Sequence, residues 1–117
     1  MKRLFSATKN SLRGLGYAIR TEPAVREEVI VLALAIVVGL FIAPSAAWYV
    51  AMIAALLVVL AVELLNTAVE KLGDHVSPQQ NPKIGMIKDF GSAAVFCTLC
   101  LAGLVWFAAI AVRCGWL

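Results

Sequence analysis

Three long apolar runs dominate the chain and predict helices that cross a membrane. They cover residues 29–43, 46–65 and 91–112, and a Pro44-Ser45 pair separates the first two. A helix needs about 20 mainly apolar residues to cross the hydrocarbon core of a bilayer. The first run falls short of that length and therefore needs residues 23–28 as an interfacial turn. With their polar flanks included, the predicted spans cover about residues 24–43, 46–71 and 88–113.

The segment before the first span has a different pattern. Residues 2–20 mix five basic residues with leucine, isoleucine and phenylalanine. This mixture predicts an amphipathic helix in the membrane interface, with basic groups toward lipid phosphates and apolar groups toward acyl chains. Gly14 and Gly16 lower the helix propensity and indicate a bend. No secretory signal peptide is expected, because the segment has neither an early apolar core nor a small-residue cleavage site.

Turn-forming residues mark the connections between these elements. Pro23 suits the first turn of the helix that follows, with Thr21 or Glu22 near its cap. Residues 77–87 contain two prolines and a glycine and are expected to be irregular and exposed. These breaks divide a single all-α membrane domain, residues 1–117, into one surface helix and three spans.

The composition supports a membrane location. The 117 residues are 62% hydrophobic and 15% charged, and one small soluble core cannot enclose so much apolar surface. Of the ten Lys and Arg residues, six precede the first span and three lie between Lys71 and Lys88. The positive-inside rule then predicts a cytoplasmic N-terminus and a C-terminus on the far side. The net charge of +3 suits anionic lipid headgroups, whereas nucleic acid is not expected as a partner because the basic residues are dispersed.

Four polar residues interrupt the second apolar run and its extension. At 100° per residue, Asn66 lies about 60° and Glu70 about 20° from Glu63 around the helix axis. Asp74 returns to the same face as its solvated end, where a structural role is expected. Ionisable groups at membrane depth are costly, so this stripe indicates a functional site. The structural alternative is that Glu63 only hydrogen-bonds a neighbouring span and fixes an oligomer.

The residue types in the stripe suit phosphoryl transfer. Mg²⁺ takes one or two protein carboxylates and completes its shell with water and phosphate oxygens. A deeper carboxylate such as Glu63 suits removal of a proton from a lipid hydroxyl, and Lys88 before Asp89 could supply a cation near phosphates. The alternative for that pair is a snorkelling anchor and a carboxylate at a helix start. No P-loop or soluble-kinase signature is present, so an ATP site would have to be built differently.

Two motifs resemble the signature of the small prokaryotic integral-membrane diacylglycerol kinases. The first runs from Val62 to Glu70 with Asp74 behind it, the second covers residues 88–95, and a Glu22-x-Ala24-x-Arg26-x-Glu28 pattern lies upstream. The resemblance covers nearly the whole chain. It implies a homotrimer in the bacterial cytoplasmic (inner) membrane, with three transmembrane helices and one surface helix per subunit. It also implies a transferase of phospholipid metabolism that phosphorylates diacylglycerol to phosphatidic acid with ATP and Mg²⁺.

By matching position, the resemblance implies a role for each polar residue. Glu63 would be the catalytic base, and Glu22 and Glu70 would bind both the metal and the nucleotide. Subunits are expected to contribute different parts of one composite site. The residues expected to contact the lipid substrate are Arg3, Asn66 and Ser92. The remaining residues expected to bind the nucleotide are Lys88, Asp89, Gln79, Gln80 and Asn81.

Some positions depart from the pattern of that family. Many members have a Tyr-His pair and a further basic residue ahead of Lys88, where this chain has Gln79-Gln80-Asn81-Pro82 and Met86. The surface helix has Asn10 where an aromatic residue is common. An aromatic contact to adenine is thereby lost, and we expect relaxed selectivity for the nucleotide base.

Two other functions fit parts of the sequence. Residues 74–78 are similar to the related undecaprenol kinases, whereas residues 91–94 look more like the diacylglycerol kinases. Undecaprenol is therefore the alternative acceptor. The remote alternative is a non-enzymatic membrane adaptor or small ion-conducting oligomer, whose carboxylates only bind cations or seal helices. That alternative predicts no ATP turnover.

Overall fold

The chain folds into four α-helices with no strand. The computed structural model describes every residue from Met1 to Leu117, and the prediction of an all-α chain is confirmed. α3 packs against both α2 and α4, whereas α1 packs mainly against α2. The helices are α1 (Lys2–Thr21), α2 (Pro23–Ile42), α3 (Ala46–Val76) and α4 (Pro82–Arg113).

Glu22 forms the corner between α1 and α2. Its backbone is extended, with φ −115° and ψ 110°, and Pro23 takes the first helical position of α2. Proline suits this position because it has the right φ and no N–H group to leave unsatisfied. The Arg26 side chain reaches back to α1, where its Nε and Nη2 donate to the carbonyl oxygens of Ile19 and Arg20, each at 3.1 Å. Arg26 thus satisfies two carbonyls at the end of α1 and fixes the corner that carries Glu22.

α1 is continuous through both of its central glycines, Gly14 and Gly16, so they do not interrupt the helix. A glycine costs about 1 kcal/mol in a helix, which weakens a turn without breaking it. Only the C-terminal part of α1 packs on the rest of the chain, where Ala18 joins a small apolar cluster with Val25 and Leu60. Most of α1 is therefore an exposed rod attached at one end.

The connection between α3 and α4 is shorter than expected. The irregular segment predicted for residues 77–87 ends at Asn81, because α4 begins at Pro82. The Asn81 side chain accepts a hydrogen bond from the backbone N–H of Lys83 at 2.9 Å, and Pro82 takes the first helical position. Proline and asparagine here start a helix rather than prolong a loop. The prediction was wrong because the same residues are typical of both.

Two aromatic side chains fasten the long helices to one another. The Tyr49 hydroxyl donates to the carbonyl oxygen of Ile36 at 2.8 Å, and Trp106 Nε1 donates to that of Met52 at 3.1 Å. Each bond joins α3 to a neighbour and satisfies the polar end of a largely apolar side chain. These contacts fix the height at which α2 and α4 pack on α3.

Little of the chain is buried within one copy. Only 13 of the 117 residues are buried, while most large apolar side chains of α2 and α4, and several of α3, remain exposed. A soluble monomer rarely exposes contiguous apolar surface on this scale. Lipid or further copies of the chain must therefore cover these faces.

Two helices, α3 and α4, have the length and composition required to cross a membrane. α2 differs because Arg26, Glu27 and Glu28 occupy its first turns and leave an apolar stretch of only residues 29–42. That stretch is about 21 Å long at 1.5 Å per residue, against about 30 Å for the hydrocarbon core. The third span stays a prediction.

Candidate functional site

The polar stripe of α3 starts at a buried pair and ends at the surface. Glu63 and Asn66 each expose only 8% of their surface. One turn farther, Glu70 is exposed and accepts a hydrogen bond of 3.4 Å at its Oε1 from Nδ2 of Asn66. The other end of that amide, Oδ1, is buried without a hydrogen-bond partner. The stripe therefore runs from a buried carboxyl group to an exposed one, and the buried amide between them is hydrogen-bonded to the exposed one.

Glu22 joins the stripe across the helix corner. Its carboxylate forms an ion pair with Lys71 at 2.9 Å, and both Glu22 and Glu70 lie within electrostatic range of Glu63. The Glu22 side chain is 20% exposed and that of Lys71 is 66% exposed. Sequence reasoning missed Lys71 as a partner, because the pairing depends on how the α1–α2 corner sits against α3.

Glu28 also points toward this region. Its side chain is half-buried, its Oε2 has no hydrogen-bond partner, and it lies within electrostatic range of Glu63. The sequence allowed a solvated first turn, but Glu28 follows the buried Val25 at a spacing of three residues. Residues at that spacing share a helix face, and this signal could have identified its orientation.

A second polar cleft lies where α3 meets α4. It has a volume of about 490 Å³ and is lined by the connecting segment and the adjoining helix ends. Lys88 sits in its wall and forms an ion pair with Asp74. Four of the residues predicted to bind the nucleotide line this cleft: Gln79, Gln80, Asn81 and Lys88. Asp89 is exposed and lies outside that lining.

The other two predicted substrate contacts, Arg3 and Ser92, have different surroundings in one chain. Arg3 is exposed near the free end of α1, about 28 Å from Glu22 along the helix at 1.5 Å per residue. Ser92 is exposed on α4, although its neighbour Gly91 packs directly against Asn66. The sequence around Arg3 and Ser92 does not predict how far either residue lies from the carboxylates.

The donor set allows a metal ion only together with other ligands. No group of three or more His, Cys, Asp and Glu side chains in the chain could hold a metal ion. Glu22 and Glu70 supply two carboxylates, which is the number that Mg²⁺ uses when phosphate and water complete its shell. The chemistry of these donors fits a Mg²⁺ ion brought with a phosphorylated ligand, and not a closed protein cage.

A family model described as prokaryotic diacylglycerol kinase matches residues 9–110. The chain is 38% identical over 106 residues to a Haemophilus influenzae protein named diacylglycerol kinase, with 91% of this chain and 90% of that one covered. A Pseudomonas aeruginosa protein of the same name is 39% identical, with 91% and 86% covered. The Escherichia coli protein of that name is 33% identical, with 89% and 85% covered. The chain belongs to the prokaryotic diacylglycerol kinase family.

Proposed function

We propose that the protein transfers the γ-phosphoryl group of ATP to the free hydroxyl of diacylglycerol and releases phosphatidic acid and ADP. Membership of the family supports the reaction. The observation that supports the site is the buried position of Glu63 on α3. Asn66 lies one turn farther on the same face, and the exposed Glu70 lies two turns farther. The seven residues from Glu63 to Glu70 correspond to about 10 Å of helix. This distance would separate a lipid-soluble acceptor at Glu63 from a water-soluble donor at Glu70.

Glu63 acts as the general base. A buried carboxylate within reach of the lipid can take the proton as the hydroxyl oxygen attacks the γ-phosphorus. The new P–O bond forms to the lipid oxygen, and the bond between the γ-phosphorus and the bridging oxygen of ADP breaks. Burial helps because it keeps water, the competing acceptor, away from the carboxylate.

The donor side uses the exposed end of the site. Glu22 and Glu70 would hold the Mg²⁺ ion, and the chemistry supplied there is neutralisation of the charge on the triphosphate. Lys88 would exchange its ion pair with Asp74 for a phosphate group. Asp89 and the connecting segment with Gln79, Gln80 and Asn81 would hold the remainder of the nucleotide.

The assembled enzyme is a homotrimer in the bacterial inner membrane. Each chain contributes three spans, its N-terminus and the α3–α4 connection face the cytoplasm, and its C-terminus lies on the far side. The large exposed apolar faces of α2, α3 and α4 support burial in lipid and between copies. Assembly would also bring Arg3 and Ser92 of neighbouring copies toward the carboxylates, where they and Asn66 contact the lipid acceptor.

A direct assay tests the proposal. The chain is purified in a lipid-like detergent and supplied with Mg·ATP and either diacylglycerol or undecaprenol. Phosphatidic acid as the main product supports the proposal. Preference for undecaprenol would favour the alternative that residues 74–78 suggest, and transfer to neither acceptor would leave the non-enzymatic membrane protein.

A further inference from the structure

α4 approaches α3 so closely at Gly91 that a side chain there would displace the Asn66 amide. A Cβ atom at this position would overlap Oδ1 of Asn66 and would lie 3.2 Å from its Cγ. The next closest approaches for the glycines of this chain are 3.1 Å, at Gly39 and Gly73. Gly91 is therefore the one glycine whose missing side chain is filled by a polar group of the candidate site.

The surroundings of Asn66 fix which way its amide points. Oδ1 faces the backbone of Gly91 and has no hydrogen-bond partner, while Nδ2 donates to Glu70. The reverse orientation would direct Oδ1 at a carboxylate oxygen, and two acceptors repel each other. The contact with α4 and the hydrogen bond to Glu70 thus belong to one arrangement of the amide.

We infer that Gly91 is a positioning residue, which acts through Asn66 on Glu70. Any side chain at position 91 would turn the Asn66 amide and withdraw its Nδ2 from Glu70. Residues that orient metal-binding side chains typically contribute a factor of about 10 to 100 in metal affinity. The inference rests on the proposed function, in which Glu70 holds the metal ion.

Helix propensity alone predicts no damage from Gly91→Ala. Alanine is a better helix former than glycine, so Gly91→Ala would stabilise α4 if packing played no part. Gly103 supplies the matched control, since it lies on the same helix with nothing within 4 Å of an added Cβ. A difference between the two variants isolates the contact with Asn66.

The test measures metal binding without turnover. Mn²⁺, together with an equimolar non-hydrolysable ATP analogue that completes its shell, is titrated by electron paramagnetic resonance into the full chain and into the Gly91→Ala and Gly103→Ala variants, all in detergent micelles. We expect the Kd for Mn²⁺ to rise by about 10 to 100-fold in Gly91→Ala and by less than about twofold in Gly103→Ala. Equal affinities of the three proteins, or no Mn²⁺ binding by the unsubstituted chain, would overturn the inference.

A double-substitution cycle identifies the contact responsible. Asn66→Ala removes the atoms that a Cβ at position 91 would overlap. Gly91→Ala should therefore change the Kd by less than about twofold when Asn66 is already alanine. If Gly91→Ala alone does not fold, the double variant should fold, because the overlap is gone. An equal loss of affinity in both backgrounds would show that Gly91 acts by another route.

Kinase assays on the same variants separate this inference from the proposed function. A chain that phosphorylates no lipid but loses Mn²⁺ affinity only in Gly91→Ala would retain the inference and reject the function. If the chain phosphorylates diacylglycerol and both glycine variants bind Mn²⁺ equally well, the proposed function is retained and the inference about Gly91 is rejected.

Discussion

At the scale of single residues, Glu63 is the one charged side chain with less than a tenth of its surface exposed. Burying a carboxylate costs free energy unless it is paired or hydrogen-bonded, so its presence here indicates a functional role. Its neighbours divide the remaining tasks by exposure, since Asn66 is buried beside Gly91 and Glu70 reaches the surface. The order of these residues along α3 is thus also an order of access to water.

Glu63→Gln should abolish lipid phosphorylation while leaving the fold and the assembly intact. The amide has nearly the same shape but cannot take the proton, and general-base catalysis typically contributes a factor of about 100 to 10,000. Initial rates with diacylglycerol and Mg·ATP measure the effect. Glu27→Gln, an exposed substitution on α2, is the control and should retain full activity. Turnover close to that of the unsubstituted chain would remove Glu63 from the mechanism.

Lys71→Gln should tighten metal binding. The ammonium group of Lys71 occupies the carboxylate of Glu22 at 2.9 Å, and a metal ion would have to displace it. Exposed ion pairs contribute little because solvent screens them, so the Kd for Mn²⁺ should fall by only about two to fivefold. Lys83→Gln is the control, because Lys83 is exposed and forms no ion pair. Weaker binding in Lys71→Gln would mean that Lys71 orients Glu22 for the metal.

The sequence predicted the position of Glu70 but not the partner of Lys71, because a residue pattern reports only on one helix at a time. Helical periodicity alone puts Glu63, Asn66 and Glu70 on one face, because all three belong to one helix. The ion pair of Lys71 with Glu22 joins two helices, and it depends on an interhelical geometry that no local pattern encodes. The close packing of Gly91 against Asn66 could not be predicted for the same reason, although Gly91 belongs to the second sequence motif.

At the scale of helices, the corner between α1 and α2 is the element that brings Glu22 to the site. Pro23 and the cap at Glu22 confirm what the sequence predicted for the start of α2. The turn of Arg26 back onto the end of α1 was not predicted, since a charged residue in a first turn usually faces solvent. The shortened α3–α4 connection shows the same limit, because Asn81 and Pro82 suit a helix start and a loop equally well.

Arg26→Gln should loosen this corner. The change removes two hydrogen bonds to the carbonyl oxygens of Ile19 and Arg20, and each bond to a charged donor contributes about 1 kcal/mol or more. Together they correspond to about 2 kcal/mol, so amide hydrogen exchange in the last turn of α1 should become about 30-fold faster. Arg13→Gln, an exposed change in the middle of α1, is the control. Unchanged protection in Arg26→Gln would mean that apolar packing around Ala18 alone holds the corner.

At the scale of the whole molecule, one chain leaves most of its apolar surface uncovered and does not bring all the predicted site residues together. Only 13 of its 117 residues are buried, and the predicted contact Arg3 lies far along α1 from Glu22. Lys88 pairs with Asp74, which is eleven residues or about 16 Å along α3 from Glu63. The proposed site would bring these groups together by combining side chains from more than one copy.

Mixed assemblies test this composite site. Two inactive variants, Glu63→Gln and Lys88→Ala, are mixed in equal amounts and allowed to exchange subunits. If each site takes Glu63 and Lys88 from different subunits, about one site in four will be intact, and activity will recover to about a quarter. If both residues come from one chain, the mixture stays inactive. The same mixture without subunit exchange is the control.

The short apolar stretch of α2 has a consequence for the surrounding bilayer. If α2 crosses the bilayer as predicted, residues 29–42 span only about 21 Å, and the hydrocarbon has to thin around α2 or the charged first turns have to be drawn below the headgroups. Thin bilayers made of short acyl chains relieve this mismatch, and thick ones increase it. Because the Glu22 corner begins α2, bilayer thickness would then set how deeply this carboxylate sits. In the proposed mechanism the bulk lipid, and not only the lipid that serves as acceptor, would help to determine the geometry of the site.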